Sequence, residues 1–353
     1  MDTLSKSSQI LPGLVNQVQH NCDISDANHA GNYTLCIYLL KMREYYRWIH
    51  ALDFSDNFES EQMSQWLREK EDTWDQVIDE PYRPITLANA EFDIFDNQSI
   101  NAQLNHHKLF YHAGIGRSAV QHFFVAELIH SYKHENTQIS ITGKEYARDL
   151  TAPPAMSTHS EIVVRQESLK RMCWERYQEW HWNQLDNSMG TALSFYPFTE
   201  SIPDALQTMV EVEQHTLIQH EIGEMQITQL VGQRWPTMML ELLGTKAELM
   251  ARTARDHLAD SLSTLPYLIE QQNPASIHFF FANLAYMRKE LFPSAIQAYQ
   301  QWAETGDLSA LHDLTQRSAN HWQQTIQSIL EICERSEQNP ATEIVTLIEH
   351  SKI

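Results

Sequence analysis

The sequence predicts a mainly α-helical protein, with a helical bundle in its C-terminal half and a helical N-terminal region that carries a small β-hairpin. Only 10 of the 353 residues are glycine, which favours long helices over a fold rich in tight turns. Apolar residues recur at helical spacing through most of the second half. Hydrophobic residues make up 42% of the chain, which is enough for a sizeable core.

The N-terminal region opens with two predicted helices. Apolar and aromatic residues at helical spacing predict the first from Asp26 to His50, with Asp23 or Asp26 as its cap. The second is predicted from Glu59 to Ile78, before Pro81 and Pro84 break the pattern.

Between residues 101 and 150 the sequence includes runs that favour strands as well as a run that favours a helix. The runs LFYHAGIG and TQISITG favour short strands that pair as a hairpin, whereas AVQHFFVAELIHSY between them favours a helix. The glycines Gly114 and Gly116 lack the rest of a dinucleotide-binding fingerprint, so the pattern predicts a plain turn.

The run TAPPAMSTHS at residues 151–160 indicates a domain boundary, because two prolines and small polar residues interrupt the chain there. The sequence therefore predicts domains at 1–152 and 160–353. The predicted helices of the second domain cover 161–195, 203–231, 246–270, 275–290, 293–304, 307–335 and 340–350.

The charge balance excludes some classes of partner. There are 25 basic and 46 acidic residues, and the formal net charge of −21 repels nucleic acid and anionic membrane surfaces. The four scattered cysteines favour reduced thiols, and the N-terminus shows no signal-peptide pattern. We therefore expect a cytoplasmic protein without a membrane partner.

Ionisable residues lie where the apolar face of a helix is expected. Between residues 202 and 231, the 100° advance per residue places Glu213, His220 and Glu224 on the same side as Leu206 and Val210. The motif HEIGE, residues 220–224, sets its histidine and second glutamate one turn apart.

Two neighbouring segments repeat the feature. Glu167 and His181 share an apolar stripe with Trp174 and Tyr177 in the preceding helix. In the run RDHLADSL, His257 and Asp260 lie three residues apart at the edge of an apolar stripe, and Asp256 is able to replace either.

A buried carboxylate needs a proton, a cation or a metal. Four acidic side chains and two imidazoles balance two divalent ions, and this ligand set suits iron or manganese better than zinc. The hypothesis is a di-metal oxidase or oxygenase that acts on a small organic substrate. Its predicted metal ligands are Glu167, Glu213, His220, Glu224, His257 and Asp260. Its predicted pocket residues are Trp174, Tyr177, His181 and Asp256.

Other interpretations remain open at this stage. Arginines at positions 165, 171, 252, 255 and 288 are available to pair with the same acids, which would make the protein a non-enzymatic helical scaffold. A metal-free enzyme would use Glu213 or Glu224 as general acid. HEIGE lacks the second histidine of the zinc-peptidase motif H-E-x-x-H, so a peptidase is disfavoured.

A dense polar cluster lies just before the first predicted helix. Asn21, Cys22, Asp23, Asp26 and His29 indicate an N-terminal cap with a buried cysteine, with a thiol site or a wall of the pocket as alternatives.

Three runs, NCDISDANHAGNYTLCIYLLKMREYYRW, GKEYARDLTAPPAM and RDHLADSLSTLP, resemble an uncharacterised bacterial protein family of unknown function. That resemblance covers nearly the whole chain and implies no activity. In ligand count alone the bundle also resembles ferritin-like and haem-oxygenase-like di-metal proteins. Ferritin-like members carry two E-x-x-H motifs, whereas this chain reverses the order at His220–Glu224 and His257–Asp260.

Overall fold

The computed structural model of the chain describes residues 2–116, 119–158, 160–335 and 340–353. The chain divides into two compact units. Unit 1 comprises Met1–Pro154 and Val163–Trp174, and unit 2 comprises Ala155–Ile162 and Glu175–Ile353.

Helices dominate both ends of the described chain. In unit 1 they are α1 (Asp2–His29), α2 (Leu35–Ile49), α3 (Ser60–Val77) and α4 (Asn97–Leu104). The helix α5 (Gln166–Asn183) begins in unit 1 and ends in unit 2. In unit 2 they are α6 (Ser188–Leu193), α7 (Ile202–Val231), α8 (Arg234–Glu241), α9 (Lys246–Ala259), α10 (Leu265–Gln271), α11 (Pro274–Asn283), α12 (Tyr286–Leu291), α13 (Pro293–Thr305), α14 (Ser309–Arg335) and α15 (Pro340–His350). A π-helical segment, Asp260–Thr264, joins α9 to α10.

The strands form two sheets. They are β1 (Ile85–Leu87), β2 (Ala90–Phe92), β3 (Leu109–Ile115), β4 (Gln121–His134), β5 (Thr137–Arg148), β6 (Ala155–Ser157) and β7 (Glu161–Arg165). The first two pair with each other, and the rest form a curled, mixed sheet in the order β3-β4-β5-β7-β6. The prediction of a mainly α fold with one small hairpin is therefore wrong, although helix is the more abundant structure.

The error lies chiefly in β4, where a helix was predicted. Residues 122–126 are buried in succession, so this part of the strand lacks the alternation that identifies a half-exposed strand. Register shifts near Val125, Ala126 and Leu128 interrupt the pairing with β5. Such bulges bend a strand and increase its twist, which fits the curled shape of this sheet.

The first predicted helix is also corrected. The segment expected as one helix from Asp26 to His50 is divided, because α1 ends at His29 and α2 starts only at Leu35. The polar cluster at residues 21–29 therefore lies in the last two turns of α1 and not at a helix start. The helix predicted at Glu59–Ile78 is confirmed as α3.

Unit 1 has a core between α1 and the sheet. Leu14, Val18 and Cys22 on one side of α1 contact Phe123 and Val125 of β4 in a continuous buried cluster. These apolar side chains recur every four residues along the helix, so one face of α1 covers the sheet. This packing also fixes the polar residues that follow on α1.

In unit 2, the helices α7, α13, α14 and α15 lie close to the ranges predicted for them. The helix predicted over 246–270 is divided into α9, the π-helical segment and α10, and the helix predicted over 275–290 is divided into α11 and α12. Ser201 caps α7 by accepting a hydrogen bond from the Asp204 amide, and Thr245 caps α9 in the same way through Glu248. The helix predicted from residue 161 starts later, because β7 occupies residues 161–165.

Within the described residues, every helix is too short or too polar to cross a membrane.

Candidate metal centre

The two helices that carry the candidate site approach each other closely at one glycine. A Cβ atom on Gly223 of α7 would lie 2.4 Å from the carbonyl oxygen of Ala259, the last residue of α9. Any larger residue at position 223 would therefore force the two backbones apart. This contact brings the HEIGE motif of α7 against the end of α9.

Three side chains converge beside this contact. His220, Glu224 and Asp256 each offer one donor atom, and these atoms lie within 4.8 Å of one another. All three residues are half-buried, and the side chains of His220 and Glu224 are 26% and 17% exposed. A small ion can therefore reach the cluster from solvent.

A buried carboxylate orients the imidazole. The His220 Nδ1 atom lies 2.9 Å from Oδ1 of Asp260, whose side chain is only 2% exposed. Because Nδ1 is engaged, Nε2 is the nitrogen left for a metal. A carboxylate that holds a histidine through its other nitrogen is the usual arrangement around metal-binding histidines.

Two arginines complete the cluster. Arg255 Nη2 lies 2.7 Å from Oε2 of Glu224, and Arg288 donates a hydrogen bond to Oδ2 of Asp260. Glu221 is also close enough to raise the pKa of Glu224. Acidic side chains therefore outnumber the guanidinium groups around His220.

The pKa of Glu224 reflects this balance. Burial raises the pKa of its carboxyl above the ordinary value, while Arg255 and His220 lower it and Asp256 raises it. Adding a cation beside Glu224 would favour its ionised form, since opposite charge stabilises a carboxylate.

A π-helical segment begins at Asp260. Pro266 has no amide hydrogen to donate, so the normal helical hydrogen bonding is interrupted just before it. The Leu265 amide bonds instead to the Asp260 carbonyl, which gives the wider π turn. Single π turns inside helices occur frequently at functional sites.

Two predicted ligands, Glu213 and His257, have other partners. Oε1 of Glu213 accepts hydrogen bonds from Tyr196 at 3.0 Å and Ser276 at 2.9 Å, and burial raises its pKa to about 7. His257 bonds through Nε2 to the Arg288 carbonyl at 3.1 Å, and burial lowers its pKa well below the ordinary value. Neither belongs to the group of converging donors.

The sixth predicted ligand lies in the other unit. Glu167 is in the first turn of α5, where its Oε2 accepts a hydrogen bond from the Glu145 amide. Burial, and then the charge of Glu145, raise the pKa of Glu167 to about 7. Of the six predicted ligands, the structure brings His220 and Glu224 together as donors and places Asp260 behind the imidazole.

The predicted pocket residues are also dispersed. Trp174 belongs to unit 1, where its ring lies 5.4 Å from that of Phe54. Tyr177 stacks on Phe198 with ring centres 4.3 Å apart, and His181 lies beside it at the exposed end of α5. Only Asp256, predicted as a pocket residue, joins the donor cluster.

Sequence reasoning missed the cavity next to this cluster. It has a volume of about 320 Å³ and lies in unit 2. Its lining includes Met225, Thr228, Val231, Trp235 and Arg255. The Arg255 guanidinium contacts Glu224 on one side and lies 5.4 Å from the centre of the Trp235 ring.

Fold and site together define a two-unit α+β protein whose helical unit holds one imidazole and two carboxylates in a group of the kind that binds a divalent ion. The N-terminal domain of a family of unknown function (DUF6866) matches residues 13–165, and the C-terminal domain of the same family matches residues 170–351. The chain therefore belongs to this family, which confirms the resemblance to a family of unknown function. No curated protein and no solved structure matched the chain.

Proposed function

We propose that unit 2 is the catalytic part of a metal-dependent enzyme, in which His220, Glu224 and Asp256 bind one divalent ion. The convergence of their donor atoms within 4.8 Å carries this proposal. Metal bonds to nitrogen and oxygen of about 2.0–2.2 Å require donors no more than about 4.4 Å apart. A shift of a few tenths of an ångström per side chain brings the three donors to that separation.

The donor set favours iron or manganese. One imidazole and two carboxylates are harder ligands than the thiolates and multiple imidazoles typical of zinc. This set differs from the two-histidine, one-carboxylate triad of many non-haem iron enzymes, since one histidine is replaced by an acid. Three ligands suit a single ion, so the proposal replaces the two-metal arrangement with a one-metal centre.

The proposed substrate is a small organic molecule in the neighbouring cavity. Trp235, Met225 and Val231 offer apolar surface, and Arg255 adds a positive group between the cavity and Glu224. Sites of this size that combine apolar walls with a few polar groups are typical of small-molecule binding. An organic molecule seated there would lie next to the ion.

The reaction class that we propose is oxidation. Bound iron would supply the redox chemistry toward dioxygen, and the three protein ligands leave open positions on the ion. The chain's own groups orient the ligands and neutralise their charge. Asp260 fixes the orientation of the His220 ring, Arg288 offsets the charge of Asp260, and Arg255 offsets the charge of Glu224.

Metal analysis of the purified protein tests this proposal. Wild-type protein expressed with added iron and manganese should hold about one metal ion per chain. Glu224→Ala should remove it, whereas Glu211→Ala, at an exposed position of the same helix, should not. A wild-type preparation without bound metal would refute the proposal.

A second candidate is a non-enzymatic scaffold, favoured by the ion pairs Arg255–Glu224 and Arg288–Asp260. In that case the arginines alone neutralise the acids. Removing one arginine should then lower the free energy of unfolding by an amount that added metal does not change. Breaking a buried pair by removing one partner costs about 3–5 kcal/mol. A stability loss in Arg288→Met that is the same with and without manganese would favour the scaffold.

The proposed setting is the cytoplasm, with a small molecule as partner and neither nucleic acid nor membrane. Support comes from the net charge of −21 and from the four cysteines, which form no disulfide within the described residues.

A further inference from the structure

Unit 1 contains a groove of its own, far in sequence from the helices of the metal centre. Its volume is about 500 Å³, which lies within the usual range of small-molecule sites. The end of α1, the first turn of α2 and the second half of α3 form its walls. Three aromatic and two acidic residues line it, together with small and aliphatic ones.

The aromatic side chains come from different segments. Tyr33 precedes α2, Tyr38 follows the first residues of α2, and Trp74 lies in α3. Trp74 is only 5% exposed, and its Nε1 atom has no hydrogen-bond partner within the described residues. The face of an aromatic ring carries partial negative charge and attracts cations, more strongly where water is excluded.

The two carboxylates lie beside these rings. Glu71 and Asp75 are one turn apart on α3 and line the groove together with Trp74 and Ile78. Oε1 of Glu71 accepts a hydrogen bond of 2.8 Å from the Tyr38 hydroxyl. Burial, and then this bond to Glu71, raise the pKa of Tyr38, so the hydroxyl stays protonated and the negative charge remains on Glu71. Neither acid has an ion pair with another described residue, and both are exposed.

Two lysines near the rings leave these acids without a counter-charge. The Lys70 ammonium lies 2.6 Å from Oδ1 of Asp23 and 5.8 Å from the centre of the Trp74 ring. The Lys41 ammonium lies 5.0 Å from the centre of the Tyr33 ring. Neither lysine lines the groove, and the lining includes no arginine or histidine. The groove therefore presents two negative charges and no positive group.

We propose that this groove binds a small organic cation with a quaternary ammonium group. The three rings attract the positive charge, and Glu71 and Asp75 offset it. Rings and aliphatic side chains offer no acceptor for an N–H group, so a methylated nitrogen fits them better than a primary amine. The methyl groups would also cover Leu35 and Ile78, whose side chains are 70% and 40% exposed.

Titration of the full chain with choline tests the proposal. Ionic strength is kept constant with sodium chloride, and binding is followed by calorimetry and by the melting temperature. We expect saturable binding of one choline per chain. The neutral isostere dimethylbutanol, which has carbon in place of the ammonium nitrogen, should bind about tenfold more weakly or less, because the cation–π attraction is lost.

Ethanolamine is the second reference, since it has the charge of choline without the methyl groups. The net charge of −21 attracts both cations alike, so tighter binding of choline would report the rings and not the overall field. Equal binding of choline and ethanolamine, or of choline and dimethylbutanol, would contradict recognition of a quaternary ammonium group.

Variants locate the binding. Asp75→Asn should weaken choline binding about threefold, since an exposed ion pair is lost. The matched control Asp72→Asn removes the same charge from an exposed position of α3 outside the groove, and it should bind like wild type. Tyr38→Leu should weaken binding about threefold or more, whereas Tyr38→Phe keeps the ring and should retain binding.

The exposed Asp75 decides if Tyr38→Leu does not fold. Absence of saturable choline binding to wild type would overturn the proposal, and so would equal binding by Asp75→Asn and wild type.

Discussion

Gly223 of α7 lies so close to Ala259 of α9 that a Cβ on the glycine would lie 2.4 Å from the Ala259 carbonyl oxygen. The glycine inside HEIGE is therefore a packing requirement of the motif. His220 and Glu224 face the residues of α9 and its π-helical extension because the backbones meet at this point. Stability and metal affinity should consequently depend on the same contact.

Gly223→Ala should destabilise unit 2 by about 1–3 kcal/mol, because the new methyl group meets backbone atoms that cannot rotate away. It should also weaken metal binding by displacing His220 from Asp260. Urea denaturation followed by circular dichroism measures the first effect. Gly13→Ala is the matched control, because nothing lies within 4 Å of its Cβ and alanine favours helix. Equal stability of Gly223→Ala and wild type would contradict the packing argument.

Asp260→Asn should lower metal affinity about 10–100-fold, because the orienting partner of His220 is lost while the three ligands remain. The exposed Asp313→Asn on α14 removes the same charge elsewhere and should leave the affinity unchanged. Equilibrium dialysis against manganese measures the difference. Unchanged affinity in Asp260→Asn would show that the imidazole does not depend on this carboxylate.

Glu213→Gln should change how stability depends on pH. The pKa of Glu213 is raised by burial from 4.5 to about 7, so its stabilising contribution is complete below pH 4.5 and is lost as the pH rises through 7. A shift of this size corresponds to about 3 kcal/mol. We expect the variant and wild type to be similar at pH 4 and the variant to be more stable at pH 8.

Denaturant unfolding at several pH values measures this difference. Glu211→Gln, exposed on the same helix, should follow wild type throughout. A constant offset between Glu213→Gln and wild type from pH 4 to 8 would mean that Glu213 does not titrate in this range.

Helix-face arithmetic predicted part of the candidate site because α7 is a long, regular helix. His220 and Glu224 lie one turn apart, and their common direction follows directly from the 100° advance. The same reasoning left Asp256 and Asp260 undecided, since these also lie one turn apart. Their different partners depend on how α7 and α9 are paired in space, which helical periodicity does not predict.

Glu167 shows where this reasoning stops. The position of a residue on a helix face gives the direction of its side chain but not the structural element that the side chain contacts. The predicted helix began at residue 161, whereas β7 ends at Arg165 and leaves Glu167 in the first turn of α5, bonded to a strand amide. The missed sheet and the misplaced ligand therefore have the same origin.

The interior glycine of HEIGE was a signal available in the sequence. A glycine inside a helix costs about 1 kcal/mol relative to alanine, so its presence indicates a packing reason. Arg255 carried no comparable signal, because its contact with Glu224 and the cavity depends on how α7 and α9 are paired in space.

The most direct test of the metal centre is a titration of metal-free protein with manganese, followed by the electron paramagnetic resonance signal of the free ion. Wild-type protein and Glu211→Gln should each bind about one ion per chain, whereas Asp256→Asn and Glu224→Gln should leave the ion free. If wild type leaves the manganese signal unchanged, or if Asp256→Asn binds as wild type does, then His220, Glu224 and Asp256 do not form a metal centre.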